Sequence, residues 1–348
     1  MRSLQPDFRI PPLFCPFEAK LHPKAMDAEP GFFAWLERLG ADLDAGTLAM
    51  LRDSHAAKIC GFIVPEGETE RLQWFTNWFY WLWLFDPVAD QEPAVGHTAG
   101  YARWVGGLAR LLSTPHRPPQ TDPVAQVGSA CMADFERNAT PLQVQRIQQA
   151  ARDMHLFTIH QVAVGDQGRL PGVDEYLSHR MYASALPAAM APVEVVHGEE
   201  IPARAMALPW TQAMTEMTSL LVSIDNDFLS YPLERTTMDN QQNLINVIAH
   251  QNGIPLARAL DEAVELRDQI MLRYLRLAKT PPPGGGAPLR RFVAALHNFV
   301  AGNIPWETTA PRYAQHFPGG EVSVEITHTT AVRERPLPYP SIAWWWRL

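Results

Sequence analysis

Asn226, Ser230 and Glu234 stand at i, i+4 and i+8 in the segment Ile224-Asp225-Asn226-Asp227-Phe228-Leu229-Ser230-Tyr231-Pro232-Leu233-Glu234. On an α-helix that spacing places an amide oxygen, a hydroxyl and a carboxylate in one stripe about 12 Å long. All three are hard oxygen donors, of the kind magnesium takes in small number while water and phosphate complete its octahedron. The flanks are apolar, Ser219 to Val222 before and Leu244 to Ile248 after. A polar stripe on a buried helix is costly unless something binds it. A second acidic group closes an aromatic stretch: Leu84-Phe85-Asp86-Pro87-Val88-Ala89-Asp90-Gln91-Glu92. Asp86 and Asp90 share a helical face. At about 4–5 Å and an effective dielectric near 20 their repulsion is roughly 3–4 kcal/mol, which a divalent cation between them reverses. Taken alone, this second group equally describes a solvated helix end.

Together the two groups resemble the metal-binding motifs of class I terpene cyclases, with Asn226-Asp227-x-x-Ser230-x-x-x-Glu234 as the second motif and the Asp86 region as the aspartate-rich first. Arg180, within Tyr176-Leu177-Ser178-His179-Arg180, matches the family's diphosphate-sensing arginine. Arg312-Tyr313, preceded by Gly302-Asn303-Ile304-Pro305-Trp306, matches its C-terminal arginine-tyrosine pair and upstream tryptophan. The resemblance spans about residues 10–316 and is of the bacterial sesquiterpene cyclase type. It implies three Mg²⁺ ions, two held by Asp86 with Asp90 and the third by Asn226, Ser230 and Glu234. It further implies a diphosphate bound by Arg180, Asn226, Arg312 and Tyr313. The expected reaction is ionisation of a linear isoprenoid diphosphate, farnesyl diphosphate first, and cyclisation to a terpene hydrocarbon or alcohol with release of diphosphate. Phe79, Trp83 and Trp306 are the expected walls for the cationic intermediate, since aromatic faces attract cations.

The chain departs from the family pattern in three places. Pro87 stands where a second aspartate is usual, and Glu92 is available to assist. Leu233 replaces a lysine before the motif glutamate, with Arg235 as a substitute. Ala183 and Ser184 replace an Asp-Gly pair after the sensor arginine. Pro232 should kink the helix that carries the second motif. Geranylgeranyl diphosphate is the alternative substrate. A chain-elongating prenyl diphosphate synthase and a catalytically impaired isoprenoid-diphosphate-binding protein are the alternative functions. The Asn/Ser/Glu set, in place of a second aspartate-rich motif, argues against elongation.

Helices must position these groups. Apolar spacing predicts them over about 29–39, 45–58, 68–90, 97–113, 121–137, 140–166, 172–189, 204–231, 233–252, 256–279, 288–302 and 306–315. Turn signals fall between them at Pro65-Glu66-Gly67, Asn252-Gly253 and Pro281 to Gly286. The only strand-like stretch is Glu321 to Ile326. The fold expected is all-α, a single-domain helical bundle around a central apolar cavity, as in class I terpenoid synthases. Residues 1–24 form an N-terminal arm and 25–316 the α-domain. Residues 317–348, with Trp344-Trp345-Trp346, form a tail that packs over the bundle or frays.

Composition bounds the rest. The 348 residues are 47% hydrophobic and 19% charged, with a formal net charge of −8. An acidic chain without a basic run excludes nucleic acid as partner. The aromatic stretch Trp74 to Phe85 is too short to span a bilayer, so no stable membrane insertion is expected. Cys15, Cys60 and Cys131 lack metal spacing and suit a reduced, cytoplasmic protein. His155, His160, His250 and His297 sit singly and are expected to be satisfied or on the surface. Oligomeric state is open, with a homodimer as the form the resemblance suggests.

Overall fold

The structure is a computed structural model that describes residues 8–90, 98–114, 117–118, 120–237 and 242–348; the side chains of 86–90, 236–237 and 318 are outside the description. Helices follow in chain order as α1 (Ala28–Leu39), α2 (Ala45–Ser54), α3 (Ala56–Ile63), α4 (Thr69–Asp90), α5 (Thr98–Leu112) and α6 (Pro123–Asn138). They continue as α7 (Pro141–Asp166), α8 (Val173–Ala183), α9 (Leu186–Met190), α10 (Val193–Val196), α11 (Ala203–Met206) and α12 (Pro209–Thr237). The last four are α13 (Leu244–Asn252), α14 (Leu256–Ala278), α15 (Gly286–Glu307) and α16 (Pro311–Ala314). Four of their starts carry side-chain caps. Asp44 accepts from the Thr47 amide, Asp122 from Val124, and Asn243 from Ile245. Thr140 and Gln143 form a reciprocal capping box. Gly40 and Gly253, at φ 69° and 64°, end α1 and α13 in the left-handed conformation that glycine takes freely.

The centre is α12, buried on nearly every side, from Met214 and Met217 through Leu220, Leu221, Ile224 and Phe228. Its buried polar groups, among them Glu216, Asp225 and Asp227, are hydrogen-bonded to neighbouring elements. It packs against α8, α14 and α15, and α15 packs in turn on α3. That last contact needs Gly302, where a Cβ would lie 2.4 Å from the Cβ of Phe62. The fold is all-α and single-domain. Among the described residues no helix is long and apolar enough to cross a membrane.

Several helix boundaries differ from the sequence reading; the helix expected over 204–231 is interrupted at Ala207-Leu208, between α11 and α12. The helix expected over 45–58 breaks at His55, φ 46°, and resumes as α3. That expected over 172–189 breaks at Ser184-Ala185, with Ala185 at φ 63°. Conversely, α12 continues through Pro232 to Thr237, and α15 through Pro305 to Glu307. Proline forfeits one backbone bond, and burial of its neighbours offsets that loss. The helix α4 likewise runs on through Pro87 to Asp90.

Both chain ends are tied to the bundle. Leu13–Phe14 pairs in parallel with Ile326–Thr327, so the strand at the tail is shorter and later than Glu321 to Ile326 suggested. The fully buried Arg267 holds the Asp225 carboxylate at 2.8 and 3.1 Å and also donates to the Phe14 carbonyl, fixing the arm to α12 and α14. Trp345 is fully buried and its Nε1 donates to Glu216 Oε2 at 2.9 Å, while Ser341 is held by Asp174.

Two histidines depart from the bland expectation. His160 stacks on His179, ring centroids 3.6 Å apart. His155 is buried between α4 and α7, 5.0 Å from the Phe85 ring, and neither ring nitrogen has a hydrogen-bond partner. Burial pushes its pKa down to about 4. An unfolded histidine binds its proton near 6.5, so the unfolded state takes up a proton first as pH falls, and stability is lost between about pH 6.5 and 4. His155→Phe is expected to remove about 2–3 kcal/mol of the loss between pH 7 and 4.5, read by urea unfolding at both pH values. An unchanged difference between the two pH values in the variant would rule this out.

Candidate active site

The Asn226–Ser230–Glu234 stripe lies on the cavity-facing side of α12, and four neighbouring elements converge on it. From α8 comes Arg180, whose Nη2 donates to Asn226 Oδ1 at 3.1 Å and to Asp227 Oδ1 at 2.8 Å. From the end of α15 and from α16 come Glu307 and Tyr313, which accept from Asn226 Nδ2 at 2.8 and 3.1 Å. Lower on the stripe, Ser230 Oγ donates to Glu234 Oε1 at 2.5 Å. The N-cap of α13, Asn243, donates to Glu234 Oε2 at 3.0 Å and to the Asp227 carbonyl at 2.8 Å. Phe79, Trp83, Arg180, Asn226, Ser230, Glu234, Trp306, Arg312 and Tyr313 all line a single cavity. Arg312 places its guanidinium 4.8 Å from the centre of the Trp83 ring, and Trp306 stands edge-on to both Trp83 and Tyr313 at 6.0 Å. Asp86 and Asp90 occupy the last turn of α4, the helix that also carries Phe79 and Trp83; their side chains, and Glu92, lie outside the described residues.

The polar end of the cavity is rich in buried acid. Burial raises the Asp227 carboxyl above its ordinary range, against the pull of Arg180. Glu234 is raised by burial first and by the Asp227 charge second. Glu307 is pushed well above the usual carboxyl range by burial, with its bond to Asn226 opposing. Negative groups raised in this way gain most from an added cation. Among the described residues no three His, Cys, Asp or Glu side chains are gathered as a metal cluster. The site therefore suits a hard ion that accepts an amide, a hydroxyl and one carboxylate and keeps water or phosphate for the rest, which is magnesium's habit.

Residues 77–273 match the family described as terpene synthase family 2, C-terminal metal binding. The chain belongs to that family. It is 29% identical over 345 residues to spiroviolene synthase of Streptomyces violens, covering 97% of this chain and 96% of that one. It is 28% identical over 355 residues to the (+)-T-muurolol synthase of Streptomyces clavuligerus, covering 96% and 81% of the two chains. The crystal structure of SVS_A2, a protein from ancestral sequence reconstruction, superposes with TM-score 0.85 at 28% identity over 97% of this chain and 98% of its own. Germacradien-4-ol synthase of Streptomyces citricolor, at 18% identity, shares the fold with TM-score 0.72 over 87% of this chain and 99% of its own. This terpene synthase is a class I terpene cyclase. Its substrate is an isoprenoid diphosphate, its chemistry is of the lyase type, and it uses a divalent metal.

Two of the three places where this terpene synthase departs from its family's motifs line the cavity; the side chain of Pro87 lies outside the described residues. Leu233 lines the cavity. Arg235 lies over the Tyr231 ring, 5.9 Å from its centre. Ala183 and Ser184 end α8 on the cavity wall, and the buried Ser184 hydroxyl has no partner. The left-handed Ala185 follows directly, a conformation that costs a non-glycine residue about 1–2 kcal/mol. Sequence reasoning assigned no role to Asp227, Tyr176, Asn243 or Glu307. Asp227 is the hub of this set, accepting from Arg180, from the Tyr176 hydroxyl and from the Leu244 amide. The one signal available for Glu307 was a lone acid directly after a run of apolar residues from Phe299 to Trp306, interrupted only by Asn303.

Proposed function

We propose that this terpene synthase ionises farnesyl diphosphate and cyclises the resulting allylic cation, acting as a carbon–oxygen lyase on a phosphate ester with three Mg²⁺ ions. The observation that carries the reading is Asn226, joined by hydrogen bonds to Arg180 on one side and to Tyr313 on the other, in a cavity that Phe79, Trp83, Phe299 and Trp306 also line. In this reading Asn226, Ser230 and Glu234 hold one ion, and Asp86 with Asp90 hold the other two. Bound magnesium would supply positive charge to the departing diphosphate. Arg180, Arg312 and Tyr313 donate to its oxygens through charge-assisted bonds. The carbon–oxygen bond breaks heterolytically, with its electron pair leaving on the diphosphate, and no protein nucleophile is needed.

The cation left behind must be shielded from water. Phe79, Phe299 and Trp306 offer apolar and aromatic surface below the polar rim. The Trp83 ring already holds the Arg312 guanidinium, so its face serves the diphosphate end and Phe79 with Trp306 serve the cation. The reaction closes by loss of a proton, for which the released diphosphate is a base, or by capture of water. The farnesyl choice is supported by the T-muurolol relative, whose name specifies (2E,6E)-farnesyl diphosphate as the compound it cyclises.

Purified enzyme incubated with Mg²⁺ and geranyl, farnesyl or geranylgeranyl diphosphate, then extracted with hexane for gas chromatography and mass spectrometry, tests this directly. Cyclic C15 products are expected to exceed the others by about tenfold or more, a discrimination of roughly 1.4 kcal/mol, and to vanish with EDTA. Preferential C20 products would overturn the choice of substrate. A longer linear diphosphate on addition of isopentenyl diphosphate would overturn cyclisation as the main activity.

A further inference from the structure

Glu307 is the last residue of α15, is 1% exposed, and lies on the cavity wall beside Trp306. Its Oε1 accepts from Asn226 Nδ2 at 2.8 Å, and the same amide nitrogen donates to the Tyr313 hydroxyl at 3.1 Å. On the other side Asn226 Oδ1 accepts from Arg180 Nη2 at 3.1 Å. An asparagine amide can be turned over with little change in shape, so its neighbours decide which end faces where. Turned over here, the oxygen would meet Glu307 Oε1 and the NH₂ group would meet the donors of Arg180. With Oε1 acting as an acceptor, both contacts are repulsive. Tyr313 does not discriminate, because a hydroxyl can donate or accept. Glu307 and Arg180 are thus the two groups that fix the amide.

We infer that Glu307 is a positioning residue, holding the Asn226 amide so that Oδ1 is presented on the Arg180 side of the cavity and the NH₂ group is kept on the α15 side. The inference rests on the reading above, in which Asn226 Oδ1 is a metal ligand. Its need is physical. When diphosphate binds, Arg180 is drawn to the phosphate oxygens, and one of the two restraints on Asn226 weakens at the moment its orientation matters. Glu307 is anchored in α15 and keeps its grip. With any proton of the carboxyl carried on Oε2, Oε1 still accepts, so the hold does not require charge.

A purely structural role would look different. Among the described residues Glu307 Oε2 has no hydrogen-bond partner. Leaving a buried polar atom unsatisfied opposes folding, so an apolar residue of similar size would serve the fold at least as well. Orientation of ligands by groups behind them, by contrast, commonly changes metal affinity about 10–100-fold.

The test follows thermal stabilisation of the enzyme as Mg²⁺ is titrated at fixed inorganic pyrophosphate, a readout independent of turnover. Glu307→Leu is expected to melt near the parent without metal yet to need about tenfold more Mg²⁺ for half-maximal stabilisation. Glu307→Gln, whose amide oxygen can accept the same bond, is expected to stay within about threefold of the parent. Should the leucine variant not fold, Glu307→Ala takes its place, since it leaves room for water. A leucine or alanine variant that titrates like the parent overturns the positioning role. So does a glutamine variant as impaired as leucine, which would point to charge instead. Asn226→Ala separates the two levels. If it loses the Mg²⁺ response while Glu307→Leu keeps it, the positioning role alone fails. If it keeps the response, Asn226 is not a ligand, and the role of Glu307 falls with that assignment.

Discussion

Glu234→Ala is expected to lower the rate of diphosphate release from the allylic substrate by at least about 10²–10³-fold, the loss that follows removal of one group stabilising developing charge. Glu234 is the only carboxylate in the stripe, and without it Asn226 and Ser230 offer only neutral oxygens. The substitution also separates activity from folding. Burial raises the Glu234 carboxyl above its ordinary range, so at neutral pH its charge works against the folded state. Melting without metal should therefore be unchanged or slightly raised. Steady-state assays beside circular dichroism melts provide the check. A variant that retains activity within tenfold of the parent would mean that this face of α12 does not carry the metal.

Arg180→Ala is expected to damage both activity and stability. Arg180 is 18% exposed along its side chain and pairs with Asp227, which is 2% exposed. Removing the arginine leaves that carboxylate buried without its cation, which costs about 3–5 kcal/mol when the geometry was good. Asp227 responds by shifting further upward, since Arg180 is the strongest influence holding it down. The sign of the pH effect follows. The penalty is full where Asp227 must be ionised and fades as pH falls and the carboxyl takes a proton, so the variant's deficit should be larger at pH 8 than at pH 5. Turnover should fall by about 10³-fold, because the planar guanidinium fork that meets the phosphate is lost. Arg180→Lys should recover part of the stability but little of the rate, since an ammonium cannot reproduce the fork. Urea unfolding at the two pH values decides the first part; equal deficits would show that Asp227 is not the group left stranded.

The stripe Asn226–Ser230–Glu234 was readable in the sequence because a helix turns i, i+4 and i+8 into a line, and the apolar flanks announced that the line is buried. Trp306 and the Arg312-Tyr313 pair were readable from a family pattern that keeps order and spacing, and Trp83 from the aromatic chemistry expected of the cavity wall. Asp227, Asn243 and Glu307 were not, because their parts depend on contacts between distant elements: α12 with the N-cap of α13, and α12 with the end of α15. A residue whose role is to face another helix carries no periodic signal of its own. The break between α8 and α9 escaped notice for a different reason. It falls at Ala185, not at a glycine, so the residue type gives no warning of the left-handed backbone. Pro232 and Pro305 misled in the opposite direction. Each sits among buried neighbours, and packing carries the helix past it.

The decisive measurement is anomalous scattering from crystals of the enzyme grown with Mn²⁺ and inorganic pyrophosphate. Manganese shares magnesium's preference for six oxygen ligands. A peak is predicted at coordination distance, about 2.1 Å, from Asn226 Oδ1, Ser230 Oγ and the Glu234 carboxylate, with pyrophosphate joining it to Arg180 and Arg312. Ordered pyrophosphate with no metal against those three oxygens, or metal and pyrophosphate bound elsewhere, would contradict it.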